Sequence, residues 1–407
     1  MKISQPTSLP TKRRITFIDF LRAYAILMML QGHFVDTLLD VSYRDPGHWL
    51  YATWNFMRGM TAPIFFFTSG MIFTFLLLKD SRPPKENLRV KKGTKRGLQL
   101  LWIGYLLKFN FIGFLGLYFS TGILKVDVLH CIGLALLSII GLYHIRHHLN
   151  IPIHWLLLAA GLVVFLFNPD MEEADWSFLP LWLENYFSKA NGSVFTPFPW
   201  IGYSLLGGSM GCLLHTKPDL AFSKRFPLAV ALLGYLLHAY SSYTLEVLYY
   251  ISGWDNLIAI ANNNHLFIRL GHAMIVCSIA IVIAQWWKNM PELILKIGSE
   301  TLLIYEVHYV LLYSTWFGIG LSFFWYRSLN PVQVIIGALL FLSFFVLLVA
   351  HWDKIREHYL PYFKRPFQRV FNRIKTEIAA FWVLIYTFLK KKWVRWRNTS
   401  ESTSQHR

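Results

Sequence analysis

Apolar stretches of about twenty residues recur along most of this 407-residue chain, and such stretches limit it to folds that satisfy every backbone hydrogen bond internally. Runs at 16–39, 52–78, 98–120, 127–145, 152–168, 198–215, 226–250, 265–287, 297–321 and 331–350 read as spans. They predict an all-α polytopic membrane protein with about ten transmembrane helices. Apolar residues are 55% of the chain and charged residues only 15%, more apolar surface than a soluble core of this length needs.

The formal net charge of +17 would suit nucleic acid, so the placement of the basic residues decides its meaning. With the N-terminus inside, 31 of the 39 Lys and Arg fall on inner segments, while only Arg44, Lys125, Lys189 and Arg327 fall in outer loops. The positive-inside rule then predicts a cytoplasmic N-terminus and, with an even helix count, a cytoplasmic C-terminus. Basicity here serves topology and anionic lipid rather than nucleic acid.

The same pattern divides the chain into a basic N-terminal segment (1–14), a membrane domain (15–350) and a basic cytoplasmic tail (351–407). In the tail, Ile378 to Leu389 is too short to span and is flanked by Lys390, Lys391 and Lys392, so it predicts an interfacial helix. Cys131, Cys212 and Cys277 all lie in apolar spans and form neither a disulfide framework nor a zinc pattern. No metal is expected.

The first span carries Asp19, Arg22, His33 and Asp36 on one helical stripe. Arg22 and His33 differ by about 20° around a helix and lie about 16 Å apart along it. Ionisable groups are expensive in lipid, so this stripe should face a polar interior, and it is the first candidate for chemistry. Two bland readings stand beside it: an interhelical hydrogen bond for His33, and an Arg22–Asp19 ion pair at the helix end.

Further polar groups fall at compatible depths. Asp127 and His130, and likewise Arg269 and His272, stand one turn apart at the outer starts of their spans, and Arg58 opens the second span from the outside. In the ninth span, Glu300 enters near the inner face while Tyr305, Glu306 and His308 reach mid-membrane, where the first-span stripe is their obvious partner. Arg58, Asp127, His130, Glu306 and His308 are therefore further candidates for a polar binding site or its support. Gly207, Gly208 and Gly211 have no strand-loop-helix context and are expected to allow close helix packing rather than cradle phosphate. Trp176, Trp182, Tyr186, Phe187 and Trp200 form either a sugar-stacking surface or an interfacial belt.

An arginine followed after ten residues by a histidine, within RITFIDFLRAYAILMMLQGHFVD, resembles the signature of the transmembrane acyltransferase superfamily, which includes the acyltransferase-3 proteins. The closer similarity is to bacterial relatives of the heparan-alpha-glucosaminide N-acetyltransferase catalytic domain. It extends through RGMTAPIFFFTSGMIF (58–73), VDVLHCIGLALL (126–137), PWIGYSLLGGSMG (199–211) and IGSETLLIYEVHYVLLY (297–313). The tail after residue 350 lies outside it.

This resemblance implies transfer of an acyl group, acetyl foremost, from cytoplasmic acyl-CoA to a sugar hydroxyl or amine of a cell-envelope or exported glycan. It places the protein in a bacterial inner membrane, with lipid, acyl-CoA and a carbohydrate acceptor as partners; homo-oligomer formation is left open. Acyl transfer needs a base for the nucleophile, and His33 suits that task with Asp36 one turn on to orient it. Arg22 and Asp19, nearer the inner face, are expected at the donor. The alternative is a proton-coupled transporter, since intramembrane Asp, Arg, His and Glu mark those as well.

Overall fold

The computed structural model describes residues 15–117 and 120–359. The N-terminal segment and the expected interfacial helix at 378–389 lie outside them. Among the described residues the chain is helical without a strand, and five helices are long and apolar enough to cross a membrane: Trp49–Leu77, Thr121–Leu149, Arg225–Ser252, His265–Trp286 and Pro331–Tyr359. The described residues fall into two compact units that part between Val346 and Leu347. The second comprises, as far as described, the last turns of the final long helix and a π-helical turn, Ile355–Tyr359.

The main helices are α1 (Thr16–Leu38), α2 (Trp49–Leu77), α3 (Leu88–Leu107), α4 (Val128–Leu149), α5 (Ile153–Leu166), α6 (Pro197–Thr216), α7 (Arg225–Ser252), α8 (His265–Trp286), α9 (Glu292–Ser299), α10 (Thr301–Tyr313) and α11 (Pro331–Lys354). Each expected span contains helix, but two are cut differently from the hydropathy pattern. The basic segment between the expected spans at 52–78 and 98–120 is helical from Leu88, because Lys and Arg are good helix formers that hydropathy does not score as span. At its far end, α3 stops at Leu107, well short of residue 120. The ninth span is likewise broken, into α9 and α10, and ends where Ser314 turns left-handed (φ 57°).

Asn87 explains where α3 begins. Its side-chain oxygen accepts from the Arg89 and Val90 N–H groups at 2.7 and 3.1 Å, the geometry of an N-cap. Its amide donates to the Asp80 carbonyl at 3.0 Å, so one buried residue closes the turn between α2 and α3. The neighbouring Asp80 is gripped by Arg82 at 2.6 and 2.8 Å, which holds its carboxyl well below the usual carboxylate range. Asn87→Ala is expected to cost about 1–2 kcal/mol, seen as a lower Tm of the purified protein, with Asn87→Asp recovering part of the loss because it keeps the acceptor. An unchanged Tm for Asn87→Ala would show that the turn holds without its cap.

The bundle is drawn together by helices that meet backbone to backbone. At Gly207 in α6 a Cβ would lie 2.0 Å from the Phe67 carbonyl oxygen of α2, and at Gly70 in α2 one would lie 1.8 Å from that of Ser204. Close approach of this kind needs small residues, and it places the glycines of LLGGSMG in packing. Helix α1 lies against α2, α8, α9 and α10, which puts its polar stripe inside the first unit.

Candidate active site

Arg22 and His33 face the same partner helix, one near each of its ends. Arg22 Nη2 donates to Thr301 Oγ1 at 2.9 Å in the first turn of α10, and His33 Nδ1 meets the Tyr313 hydroxyl at 2.5 Å in its last turn. Eleven positions on α1 thus correspond to twelve on α10, so the two helices run parallel with their polar faces joined. Along that seam the His33 ring lies 5.4 Å from the ring of His308, and His308 lies 4.9 Å from Tyr305. His308 is fully buried, and neither of its ring nitrogens has a hydrogen-bond partner among the described residues.

Beside the Arg22 end lies a cavity of about 280 Å³, bordered by Arg22, Arg96, Thr301 and Tyr305 and by apolar side chains of α2, α3 and α4. It has two guanidinium groups at its border and stops at Tyr305, one ring short of His308. A volume at the lower edge of small-molecule sites suits the arm of a ligand rather than a whole nucleotide. Arg22 Nε is buried without a partner among the described residues, a spare donor beside this space.

The other sequence candidates separate into groups. Asp36, expected to orient His33, has its carboxylate on Arg58 at 3.0 Å and Arg44 at 3.5 Å, while the group bonded to His33 is Tyr313. Arg44 also donates to the Leu39 carbonyl, which ties the loop after α1 to the helix end. Asp19 sits where α1 crosses α9, its backbone against Gly298, where a Cβ would lie 1.9 Å from the Asp19 carbonyl oxygen. Glu306 lies on a different face of α10 from His308, within electrostatic reach of Arg96.

Asp127 and His130 form a capping box at the start of α4, with His130 Nδ1 2.9 Å from Asp127 Oδ1. Lys108 Nζ reaches the other Asp127 oxygen at 3.1 Å, and the Tyr105 ring packs edge-on against His130 at 4.3 Å. This cluster therefore fastens the end of α3 to the start of α4, close enough for Asp127 to act electrostatically on Tyr305. His272 pairs with His238 at 3.0 Å on a separate face formed by α7 and α8. Between α5 and α6, Trp176 stacks on Phe187 at 4.7 Å and Trp182 is exposed, while Trp200 in the first turn of α6 packs on Phe66 and Phe195.

Sequence reasoning did not single out Tyr313, Thr301, Arg96 or Arg44. Thr301 repeats with Tyr305 and His308 at helical spacing, whereas Tyr313 falls off that face and is marked only by the four-residue repeat of Tyr305, Tyr309 and Tyr313. Arg96 was counted as loop charge because α3 was expected to begin later.

The family model described as "Heparan-alpha-glucosaminide N-acetyltransferase, catalytic" matches residues 14–240. The chain belongs to this family. The match covers more than half of the chain and takes in α1 to α6 and half of α7, hence Arg22, His33, Asp36, Arg58, Asp127 and His130. It ends before α10, so Tyr305, His308 and Tyr313 join the family's segment through packing. Membership in a family of acetyltransferases makes the protein an acyltransferase, and its apolar helices make it a membrane protein. No curated protein matches the chain. Among the described residues, no group of three or more His, Cys, Asp or Glu is placed to hold a metal ion.

Proposed function

We propose that the protein moves an acyl group, acetyl foremost, from cytoplasmic acyl-CoA to a hydroxyl or amine of a cell-envelope or exported glycan, with His33 as general base. One observation carries the reading: a parallel α1–α10 seam has a cation-bordered cavity at one end and a paired histidine at the other. Ten spans with both termini cytoplasmic, in a bacterial inner membrane, put Arg22 and Arg96 toward the inner surface and His33 deeper. The donor's phosphates then meet the basic inner side, and its arm follows the seam toward His33.

In the productive tautomer, His33 Nδ1–H donates to the Tyr313 oxygen, and Nε2, which has no hydrogen bond among the described residues, keeps its lone pair for the acceptor. Nε2 takes the proton of the attacking hydroxyl or neutral amine as the oxygen or nitrogen bonds to the thioester carbon. The tetrahedral intermediate collapses, the carbon–sulfur bond breaks, and the imidazolium returns its proton to the departing CoA thiolate. Asp36 acts at a distance as a negative charge near the imidazolium, while Arg58 and Arg44 fix its position. Asp19, Asp127, His130, Glu306 and His308 support the donor and acceptor paths.

The test is purified protein in liposomes with labelled acetyl-CoA and crude envelope glycan. Release of free CoA together with labelled glycan is expected. Absence of CoA release across several acyl chain lengths and acceptor preparations would overturn the reading and favour proton-coupled transport.

Two variants probe the assigned roles. Tyr313→Phe removes one neutral hydrogen bond from the base and is expected to lower kcat by about 3–10-fold with little change in KM for acyl-CoA. A change confined to KM would remove Tyr313 from the base. Arg22→Ala removes a cation at the donor cavity and is expected to raise that KM by about 10–100-fold while kcat falls less. Unchanged KM in a folded Arg22→Ala protein would leave Arg22 a purely structural partner of Thr301.

A further inference from the structure

A larger space lies away from this seam. A groove of about 740 Å³ runs between α5 and α6 on one side and α7 and α8 on the other. Helix α7 packs along α8, joined where Gly234 and Gly271 face each other, and makes no comparable packing against α5 or α6. The gap is lined by Leu158, Leu162, Leu206, Leu233, Leu237 and Phe267, with few polar groups.

Its two ends differ in chemistry. One end holds His154 at the start of α5, Lys217 just past α6 and Phe226 at the start of α7. Lys224 and Arg225 immediately precede Phe226, and Arg146 is in electrostatic reach of Cys212 in the groove wall. Asp219 is the acidic residue of the short loop joining α6 to α7. The other end, at Leu162, Leu237 and Phe267, is apolar. In the proposed orientation the basic end lies at the inner surface, and the groove extends from it along α6 from Lys217 to Leu206, about 16 Å.

An apolar slot as deep as one leaflet, headed by cations, matches one kind of molecule in a bilayer. An unfilled gap between helices forfeits dispersion contacts, and lipid chains are the abundant apolar filler at that depth. We propose that this groove is a binding site for an anionic glycerophospholipid, one acyl chain lying between α7 and the α5–α6 pair and the phosphate held at Lys217. The basic end supplies the headgroup preference, because each Lys or Arg near the surface favours anionic lipid.

The experiment is native mass spectrometry of full-length protein released from nanodiscs containing equal amounts of phosphatidylglycerol and phosphatidylcholine. Wild type is expected to keep one lipid adduct, with phosphatidylglycerol favoured by about fivefold. Lys217→Glu should keep an adduct and lose the preference, whereas Ala229→Trp, which fills the groove wall, should lose the adduct. Ile251→Trp, on an exposed part of α7 outside the groove, should behave as wild type and shows that a tryptophan on α7 is tolerated. Equal retention of the two lipids by wild type, or an Ala229→Trp protein that keeps its adduct, would overturn the proposal. So would an Ala229→Trp protein that changes from dimer to monomer with lipid unaltered, which would give the groove to a second copy of the chain. The readout is lipid mass, so it stands or falls separately from acyl transfer.

Discussion

His33→Ala is expected to abolish measurable acyl transfer, a loss of about 10²–10⁴-fold, in a protein that still elutes as a single folded species. The substitution removes the imidazole that faces both Tyr313 and His308, and no other imidazole is bonded to Tyr313. Folding should survive because His33 is partly exposed and the one side-chain hydrogen bond it makes among the described residues is to Tyr313 at the end of α10. KM for acyl-CoA should change little, since Arg22 lies about 16 Å along the helix from the base. Labelled acetyl-CoA turnover with paired size-exclusion traces checks this. Wild-type rates in a folded His33→Ala protein would remove His33 from the chemistry and send the search for a base to His308.

The second large effect is structural. Gly207→Leu is expected to prevent accumulation of folded protein, a cost of about 3 kcal/mol or more. A Cβ at this position would sit 2.0 Å from the Phe67 carbonyl oxygen, and a carbonyl inside a helix cannot turn away as a side chain would. The helices would have to separate, which would strain the reciprocal approach at Gly70 and break the Ser204 hydroxyl bond to the Phe66 carbonyl at 3.0 Å. Gly141→Ala is the control, because nothing lies within 4 Å of a Cβ there; that change should be neutral or slightly stabilising. Yield and monodispersity of the two variants measure the contrast. Equal yields would mean that the α2–α6 seam has slack that its backbone geometry denies.

Much of the fold was legible because membrane helices must be apolar and about twenty residues long, a local property that hydropathy reads directly. The exceptions share a cause. Helix α3 starts at Leu88 under control of one buried side chain, Asn87, and α10 ends at a left-handed Ser314; neither cap changes mean hydropathy. In the first helix, the stripe from Asp19 to Asp36 follows from helical periodicity within a single segment, while the family was read from the resemblance of the Arg22–His33 motif and its neighbouring segments.

What the sequence by itself determined is therefore the all-helical membrane class, the family, and the polar face of the first helix. Tertiary structure alone decided that His33 is bonded to Tyr313, that Asp36 belongs to Arg58 and Arg44, and that Thr301 meets Arg22. The reason is physical. Periodicity records which side of a helix is polar, but the partner 280 positions along the chain is chosen by how closely backbones pass, and that is set at seams such as Gly298 on Asp19 and Gly207 on Phe67.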